Sequence, residues 1–266
     1  MMASEDYKVG DVERKVLQEN IEELRPYFEG DCFDLGSGDG SKLKELDIIK
    51  GNYLPLDISP QMIFKSLSSL QGEGFIGRLD DYEEFINQRK NGGPSYLLLG
   101  VELEFEPEKL KKMYRIPELE GMICDTLKPT GIPKDDFEFE VEYNYEEKQI
   151  EVYMVLKKGQ TDNFETYHPE GKRIRTVNSK RYTEEGITDL LEEAGYKTLR
   201  IFTDSDKQHA LVLAALGENS SQSNPTIITF LGNTFGNMDN EKTLRTIRDY
   251  LKLNKPGISQ YSPANN

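Results

Sequence analysis

The sequence predicts an α/β fold, in which helices cover both faces of a mostly parallel β-sheet. A short apolar stretch, Asp31–Leu35, runs into a glycine-rich turn at positions 36–40 and then into a helix-compatible segment, Ser41–Ile49. A second apolar stretch, Asn52–Leu56, follows and closes on an aspartate. Further along, Tyr96–Val101 is apolar without interruption, which is typical of a strand covered on both faces. Strand, turn, helix and strand in this order open a βαβ unit.

The first hundred residues add helices on both sides of this unit. Apolar residues three to five positions apart between positions 9 and 28 predict one amphipathic helix that ends near Pro26. Ser59 and Pro60 begin another helix, because serine caps helix N-termini and proline suits the first turn. A third strand and its following helix are predicted at Gly74–Arg78 and Tyr82–Lys90.

The middle of the chain has a different pattern. Apolar and polar residues alternate from Phe137 to Tyr143 and again from Ile150 to Leu156, which predicts an antiparallel hairpin. Its acidic residues, from Glu138 to Glu151, are interpreted as a solvated face. The next predicted elements are the helix Thr183–Ala194 and the strands Tyr196–Phe202 and Gln208–Leu216.

The C-terminal part contains one more strand and helix. The polar stretch Glu218–Ser223 is predicted to be a linker. Thr226–Gly232 is a further apolar strand, and Asn240–Leu253 is a helix. The tail from Pro256 is rich in turn residues, and we expect it to be frayed.

Composition excludes several classes of protein. The 266 residues carry 33 Lys and Arg against 48 Asp and Glu, a net charge of −15, so a nucleic-acid partner is not expected. No apolar run approaches a membrane span, and the acidic start does not resemble a signal peptide, which together predict a cytoplasmic protein without membrane contact. The two cysteines and two histidines show no metal-ligand spacing, so neither a metal site nor a disulfide is predicted.

The glycine turn and the aspartate after the second strand together indicate a nucleotide-type cofactor. Gly36, Gly38 and Gly40 permit a tight turn and close approach of a ligand. Asp57, about 20 residues further on, is placed to accept the hydroxyl groups of an adenosine ribose. A dinucleotide site requires a further glycine where Ser41 stands, so NAD is disfavoured.

The stretch from Asp34 to Gly40 resembles the first motif of class I S-adenosylmethionine methyltransferases. Three segments resemble one family more specifically, the histidine-specific Nα-methyltransferases of ergothioneine biosynthesis: Leu35–Gly38 with Lys42, Tyr53–Ser59, and Phe230–Asn237. The likeness covers most of the chain from Asp31 to Gly257. It implies S-adenosylmethionine as cofactor and a doubly wound, seven-stranded, Rossmann-like sheet.

Carried over by position, the resemblance also implies the site residues and the division of the chain. The cofactor contacts fall on Gly36, Ser37, Gly38, Lys42, Asp57, Asp81 and Tyr82, with Asp81 at the adenine end. The contacts to a small-molecule amino-acid substrate fall on Tyr114, Ser179, Gly232 and Asn237. The expected domains are a cofactor-binding domain over 1–103 and 183–257, an α+β substrate-binding cap over 104–182, and a frayed tail over 258–266.

The sequence departs from the family pattern at two places. The family has a glutamate that reads the substrate side chain two positions before the serine matched by Ser179, and here that position is Val177. The segment containing Asn237 precedes the strand matched by Tyr96–Val101 in the family, whereas here it follows everything else. We expect the displaced strand to take its place between the first strand and the strand that begins at Tyr96, with a right-handed crossover.

The function expected from these residues is methyl transfer from S-adenosylmethionine to the α-amino group of histidine or a related amino acid. Two alternatives stay open at this stage. One is a non-catalytic S-adenosylmethionine-binding protein, which Val177 and the displaced segment favour. The other is an NAD-type oxidoreductase, which Ser41 disfavours.

Overall fold

The computed structural model describes residues 9–68, 72–77, 96–216, 226–232 and 240–253. The helices are α1 (Val9–Glu19), α2 (Ile21–Leu24), α3 (Ser41–Lys44), α4 (Pro60–Leu67), α5 (Pro107–Tyr114), α6 (Pro117–Leu127), α7 (Glu184–Glu193) and α8 (Asn240–Leu253). The strands are β1 (Cys32–Leu35), β2 (Tyr53–Asp57), β3 (Phe75–Ile76), β4 (Tyr96–Glu102), β5 (Phe137–Asn144), β6 (Gln149–Leu156), β7 (Gln160–Thr161), β8 (Tyr167–His168), β9 (Arg173–Lys180), β10 (Tyr196–Thr203), β11 (His209–Leu216) and β12 (Ile227–Phe230).

The main sheet has seven strands in the order β10-β11-β4-β12-β1-β2-β3. β11 runs antiparallel to both of its neighbours, while β4, β12, β1, β2 and β3 are parallel. The predicted seven-stranded α/β sheet is therefore confirmed. The carboxyl ends of the parallel strands meet at one edge, where ligands bind in open α/β sheets.

The last strand of the chain lies in the middle of this sheet. β12 pairs in parallel with β1 on one side and with β4 on the other, so that Ile227 stands between Cys32 and Tyr96. All four residues of β12 are buried. The predicted place of the C-terminal strand is confirmed.

Apolar side chains cover both faces of the main sheet. On one face, Leu97 and Leu99 of β4 belong to a cluster with side chains of α7 and α8. On the other face, Leu98 of β4 joins Val16 and Leu17 of α1. This alternation along one strand shows why Tyr96–Val101 is apolar at every position: both of its faces are buried.

A second, three-stranded sheet has the order β5-β6-β9 and is antiparallel throughout. Its inner face packs with α5 and α6 around a cluster that includes Leu110, Ile123 and Val152. Ser179 stands opposite Ile150 and Val177 opposite Val152, so both lie on this inner face. The predicted hairpin is confirmed, but Glu151 is 6% exposed rather than solvated, because four neighbouring side chains donate hydrogen bonds to it.

Two helices differ from their predictions. The single helix expected to end near Pro26 breaks at Asn20, whose side-chain amide donates to the Val16 carbonyl at 2.8 Å and so replaces a helical bond. The helix expected over Ser41–Ile49 ends at Lys44, and Asp47 has a left-handed φ of 46°. The start of α4 is confirmed, because Ser59 Oγ accepts from the Met62 amide at 3.4 Å.

Some predicted segments lie outside the described residues: the helix Tyr82–Lys90, the linker Glu218–Ser223 and the tail from Pro256. Among the helices that the structure does describe, none is both long and apolar enough to cross a lipid bilayer.

Candidate active site at the carboxyl edge of the sheet

The glycine turn follows β1 at the carboxyl edge. Gly36, Gly38 and Gly40 have φ angles of 72°, 56° and 69°, which only glycine adopts readily. A Cβ atom at Gly40 would lie 2.9 Å from Ser66 Cβ, whereas one at Gly38 would meet no heavy atom within 4 Å. Gly40 is therefore required by packing, and Gly38 borders open space that a ligand can enter.

Asp57, the last residue of β2, is tied to this turn. Its Oδ2 accepts a hydrogen bond from the Gly38 amide at 2.9 Å, and its Oδ1 accepts one from the Ser59 amide at 2.8 Å. The side chain is only partly buried. Since each carboxylate oxygen can accept a second hydrogen bond, the group is held in place and can still receive two hydroxyl groups.

A buried carboxyl group connects the strands that carry the glycine turn. Asp34 of β1 accepts hydrogen bonds from the Tyr53 hydroxyl at 2.6 Å and from the Thr229 hydroxyl at 2.8 Å. Burial raises the pKa of Asp34, and the two hydrogen bonds offset this only in part. The three residues belong to β1, β2 and β12, so Asp34 joins the three strands on which the turn is built.

We call Glu13, Lys42, His209 and Gly232 the Glu13 cluster. Glu13 of α1 is 0% exposed. Its Oε1 is paired with Lys42 Nζ, its Oε2 accepts from the Gly232 amide at 2.9 Å, and His209 Nε2 lies 3.2 Å from Oε2. Gly100 of β4 provides the space, because a Cβ atom there would overlap Glu13 Oε2.

The charge of Glu13 is stabilised by its partners. Burial on its own raises the pKa of this carboxyl, but the contact with His209 and the charge of Lys42 outweigh burial and leave the pKa at about 2. Glu13 is therefore ionised at neutral pH.

We call Glu102, Arg181, Ser179 and Tyr114 the Glu102 cluster. Glu102 ends β4, Arg181 follows β9, and they form an ion pair in which the side chains are 2% and 4% exposed. The Ser179 hydroxyl donates to Glu102 Oε2 at 2.8 Å, and Arg181 Nη2 donates to the Tyr114 hydroxyl oxygen at 3.1 Å. This cluster joins the edge of the main sheet to the inner face of the second sheet.

The two clusters are neighbours on one face of the main sheet. His209 of β11 and Glu102 of β4 are directly opposite residues of an antiparallel pair. Side chains in that relation share a face, with Cβ atoms about 5 Å apart. The polar groups of the two clusters therefore extend along one face of the sheet, from Lys42, which follows the glycine turn, to Tyr114 and Ser179.

The structure places most of the residues selected from the sequence at this edge. The glycine turn contains Gly36, Ser37 and Gly38 and binds Asp57, the Glu13 cluster contains Lys42 and Gly232, and the Glu102 cluster contains Tyr114 and Ser179. Asp81, Tyr82 and Asn237 lie outside the described residues.

Sequence reasoning missed Glu102, Arg181 and His209. One signal for Glu102 was available: it is the first charged residue after the apolar run of β4, at the end of a buried strand where site residues collect. Arg181 and His209 had no comparable signal, because their partners are distant in the sequence.

A family model for histidine-specific, S-adenosylmethionine-dependent methyltransferases matches the chain over residues 1–100 and 79–216. The matched residues thus include the glycine turn, Asp57 and the whole Glu102 cluster. Among curated protein sequences, none matches the chain.

Several solved structures are similar to the chain at low identity. An S-adenosylmethionine-dependent methyltransferase from Clostridium acetobutylicum is 17% identical, with 80% of this chain and 96% of that chain covered and a TM-score of 0.43. A protein from Pyrococcus horikoshii is 16% identical, with 81% and 100% covered and a TM-score of 0.43. Magnesium protoporphyrin IX methyltransferase from Synechocystis is 11% identical, with 81% and 90% covered and a TM-score of 0.37.

Proposed function

Because the chain belongs to the family of histidine-specific, S-adenosylmethionine-dependent methyltransferases, we propose that it methylates the α-amino group of an amino acid. The chain is an S-adenosylmethionine-dependent methyltransferase with a class I, Rossmann-like sheet. The observation that best supports an amino-acid substrate is the Glu102 cluster, which brings Tyr114 and Ser179 together at the edge where the glycine turn lies.

The described residues fit the cofactor. Open space at Gly38 admits a ligand close to the backbone, and Asp57 has capacity for two ribose hydroxyl groups. The Ile58 side chain, next to Asp57, is 71% exposed and offers an apolar surface for the adenine. S-adenosylmethionine, when bound, supplies an electrophilic methyl group next to its sulfonium centre. We also assign Asp81 and Tyr82 to the part of the site that binds the adenine.

Lys42 is assigned to the carboxylate of the cofactor. Its ammonium group is held by Glu13, and a lysine retains further N–H donors when one is engaged. Lys42 also lies close to the loop that follows β12, because a Cβ atom added at Gly232 would be 2.6 Å from Lys42 Nζ. Lys42 thus follows the glycine turn in the sequence and lies beside the loop to which we assign the acceptor.

The acceptor is assigned to Tyr114, Ser179, Gly232 and Asn237. Gly232 already donates its amide to Glu13, so it serves the acceptor through its close backbone approach rather than through that N–H. Asn237, five residues later in the sequence, has an amide group suited to an α-carboxylate or amine. Tyr114 presents an aromatic ring that suits a cationic amine.

The chemistry requires positioning more than a strong base. An amine is nucleophilic once it has lost its proton to water or to a nearby carboxylate. Alignment of the nitrogen, methyl carbon and sulfur then supplies most of the rate. The chain's contribution is to hold the acceptor nitrogen in line and to exclude water from it.

Val177 bears on which amino acid is used. It stands opposite Val152 and packs against the apolar cluster of the second sheet. An apolar neighbour gives an imidazole nothing to bind, so we propose that the preferred acceptor is an amino acid other than histidine.

Labelled S-adenosylmethionine and a panel of free amino acids test this function. We expect label to appear on the α-nitrogen of at least one amino acid, with mono-, di- and trimethylated products distinguished by mass spectrometry. Asp57→Ala is the matched variant, because it should lose label transfer through weaker cofactor binding. A protein that binds S-adenosylmethionine but labels no amino acid would instead support the non-catalytic alternative.

A further inference from the structure

The proposed reaction releases a proton, and the Glu13 cluster contains a titratable side chain to which that reaction gives no role. An amino acid carries its α-amino group as an ammonium ion at neutral pH, and an ammonium nitrogen has no lone pair. One proton must therefore leave before the nitrogen can attack a methyl group. The side chain without a role is that of His209, which is 3% exposed.

Glu13 determines which ring nitrogen of His209 carries the proton. His209 Nε2 lies 3.2 Å from Glu13 Oε2, and Glu13 is ionised, so its oxygens can only accept. A lone pair on Nε2 would face the lone pairs of the carboxylate, so in the neutral ring the proton lies on Nε2. Nδ1 then has the lone pair, and the carboxylate behind Nε2 stabilises the imidazolium that forms when Nδ1 takes up a proton.

Two buried acceptor atoms on this face of the main sheet lack a partner. Neither His209 Nδ1 nor Glu102 Oε1 has a hydrogen-bond partner among the residues that the structure describes. The two residues are directly opposite in the antiparallel pair of β11 and β4, so their side chains share a face. Ordered water commonly satisfies such atoms. A water between two acceptors donates both of its protons to them, and the lone pairs of its oxygen remain available.

His209 lies beside the loop to which we assign the acceptor. The Gly232 amide donates to Glu13 Oε2 at 2.9 Å, and the His209 ring lies against the same oxygen. The backbone of His209 is held as well, because its amide donates to Asp204 Oδ1 at 2.7 Å. The imidazole and the start of the loop after β12 are therefore neighbours, and a proton that leaves an acceptor bound there has a short path to His209.

We propose that His209 takes up the proton released by the amino group of the acceptor, by way of a water molecule bound between His209 Nδ1 and Glu102 Oε1. The water oxygen accepts an N–H of the ammonium group. As that proton passes to the water, a proton of the water passes to Nδ1, which leaves a neutral amine, a water and an imidazolium. This inference rests on the proposed function and adds its proton acceptor. Glu13 and Glu102 are positioning residues in it.

The charged groups around His209 leave its ring free for this role. Glu13 is paired with Lys42, and Glu102 is paired with Arg181. Each carboxylate beside the ring thus has a cation of its own. His209 is therefore not needed as the counter-ion of either carboxylate, and its proton can come from the acceptor.

The tautomer of His209 tests the first step without cofactor or acceptor. The chain has two histidines, so nitrogen-15 NMR can resolve both rings, and the signals missing from His209→Gln identify His209. We expect the neutral Nε2–H tautomer in the wild type at about pH 7.5. The Nδ1–H tautomer, or an imidazolium at that pH, would overturn the inference, because neither has a lone pair on Nδ1.

His209→Gln tests the proton transfer itself. Glutamine keeps an N–H donor for Glu13 but has no basic nitrogen. With the best amino acid of the panel we expect kcat to fall about 100-fold or more, while KM and the calorimetric affinity for S-adenosylhomocysteine stay nearly unchanged. In the wild type, kcat should rise with pH between about pH 5 and pH 8, where histidine titrates. This rise should be absent from His209→Gln over the same range.

His168→Gln is the matched control. His168 is the other histidine of the chain, and its Nε2 also lies near a carboxylate oxygen, 2.9 Å from Asp162 Oδ2. It belongs to β8, in a separate two-stranded sheet. His168→Gln should leave kcat and its pH profile unchanged.

An acceptor that needs no deprotonation separates proton transfer from a structural role. The nitrogen of a 2-aminooxy acid with the same side chain is already neutral at this pH. His209→Gln should therefore methylate it at nearly the wild-type rate, which a damaged site would not do. The wild type itself should show no rise of kcat with pH for this acceptor, a measurement that does not depend on the folding of any variant.

The outcomes distinguish this inference from the proposed function. An unchanged kcat for the amino acid in folded His209→Gln overturns the inference and keeps the function. An equal loss of kcat for the amino acid and the aminooxy acid does the same. A wild type that methylates no amino acid overturns both.

Discussion

The Glu13 cluster and the Glu102 cluster are two solutions to burying a carboxylate at the same edge of one sheet. Each pairs a nearly inaccessible glutamate with a cation, and they are joined by the cross-strand pair of His209 and Glu102. Glu13 comes from a helix, and both of its oxygens are engaged, one of them by a backbone amide from the far end of the chain. Glu102 comes from the central strand, and its Oε1 has no hydrogen-bond partner among the described residues.

This difference indicates different roles. A carboxylate with every oxygen satisfied and partners on three separate elements mainly stabilises the fold. A carboxylate that joins two sheets through Arg181 and Ser179 and keeps one oxygen without a partner among the described residues can still accept a hydrogen bond from a ligand, at a cost in stability. We expect changes at Glu13 to affect folding first and changes at Glu102 to affect the choice of acceptor.

Truncation after Gly217 should have the largest effect on stability. It removes β12 and Gly232, whose amide binds Glu13, but it removes no residue of the Glu102 cluster. Ile227, Ile228, Phe230 and Leu231 are each 5% exposed or less. Their burial is worth roughly 6–12 kcal/mol in total, similar to the stability of a whole domain. We expect no cooperative melting by circular dichroism. A truncated protein that stays monomeric, melts cooperatively and binds S-adenosylmethionine normally would contradict this expectation.

Glu13→Gln should be the most destabilising single substitution at the site. It leaves Lys42 without its charged partner, and the Lys42 side chain is only 24% exposed. We expect a loss of about 3 kcal/mol in the free energy of unfolding, measured with urea. Glu22→Gln is the control, because the Glu22 side chain is 80% exposed in its pair with Arg25 and should matter little. An equal loss of unfolding free energy in the two variants would contradict a structural role for the Glu13 cluster.

These two clusters also show what the sequence could and could not predict. Local patterns predicted the glycine turn, Asp57, the cap of α4 and the uninterrupted strand β4, because each depends on neighbours in the chain. The partners of Glu13 depend on packing instead: Gly232 is 219 positions away. The break at Asn20 was missed because the apolar spacing continues past it, while a single side-chain bond ends the helix.

The pH dependence of stability should distinguish Glu13 further. Its pKa is about 2 in the folded protein against an ordinary value of 4.5. Stability from a lowered pKa is fully present above the unfolded value and is lost as the pH falls toward the folded one. The wild type should therefore lose its advantage over Glu13→Gln, about 3 kcal/mol at pH 6, as the pH is lowered toward 2. An advantage that is constant from pH 6 to pH 3 would show that Glu13 is not ionised against Lys42.

Asp57→Ala should leave both clusters intact and weaken cofactor binding. Loss of charge-assisted hydrogen bonds predicts a decrease of about 1.5–3 kcal/mol in the binding of S-adenosylmethionine, measured by calorimetry. Asp39→Ala is the matched control in the same turn, because Asp39 is exposed and its hydrogen bonds go to Ser41, whose amide lies 3.1 Å from Asp39 Oδ1. An unchanged dissociation constant in folded Asp57→Ala would exclude Asp57 from the cofactor site.

Val177→Glu should give the smallest effect and refine the account of the Glu102 cluster. The new carboxylate would share the inner face of the second sheet with Ser179, where register places it opposite Val152. We expect preference for histidine over the best wild-type acceptor to rise by about tenfold, since one polar contact in an unadapted pocket recovers little. Competition between the two amino acids for labelled methyl groups measures that ratio directly. If the wild type already prefers histidine to every other amino acid, the apolar character of position 177 does not determine the substrate.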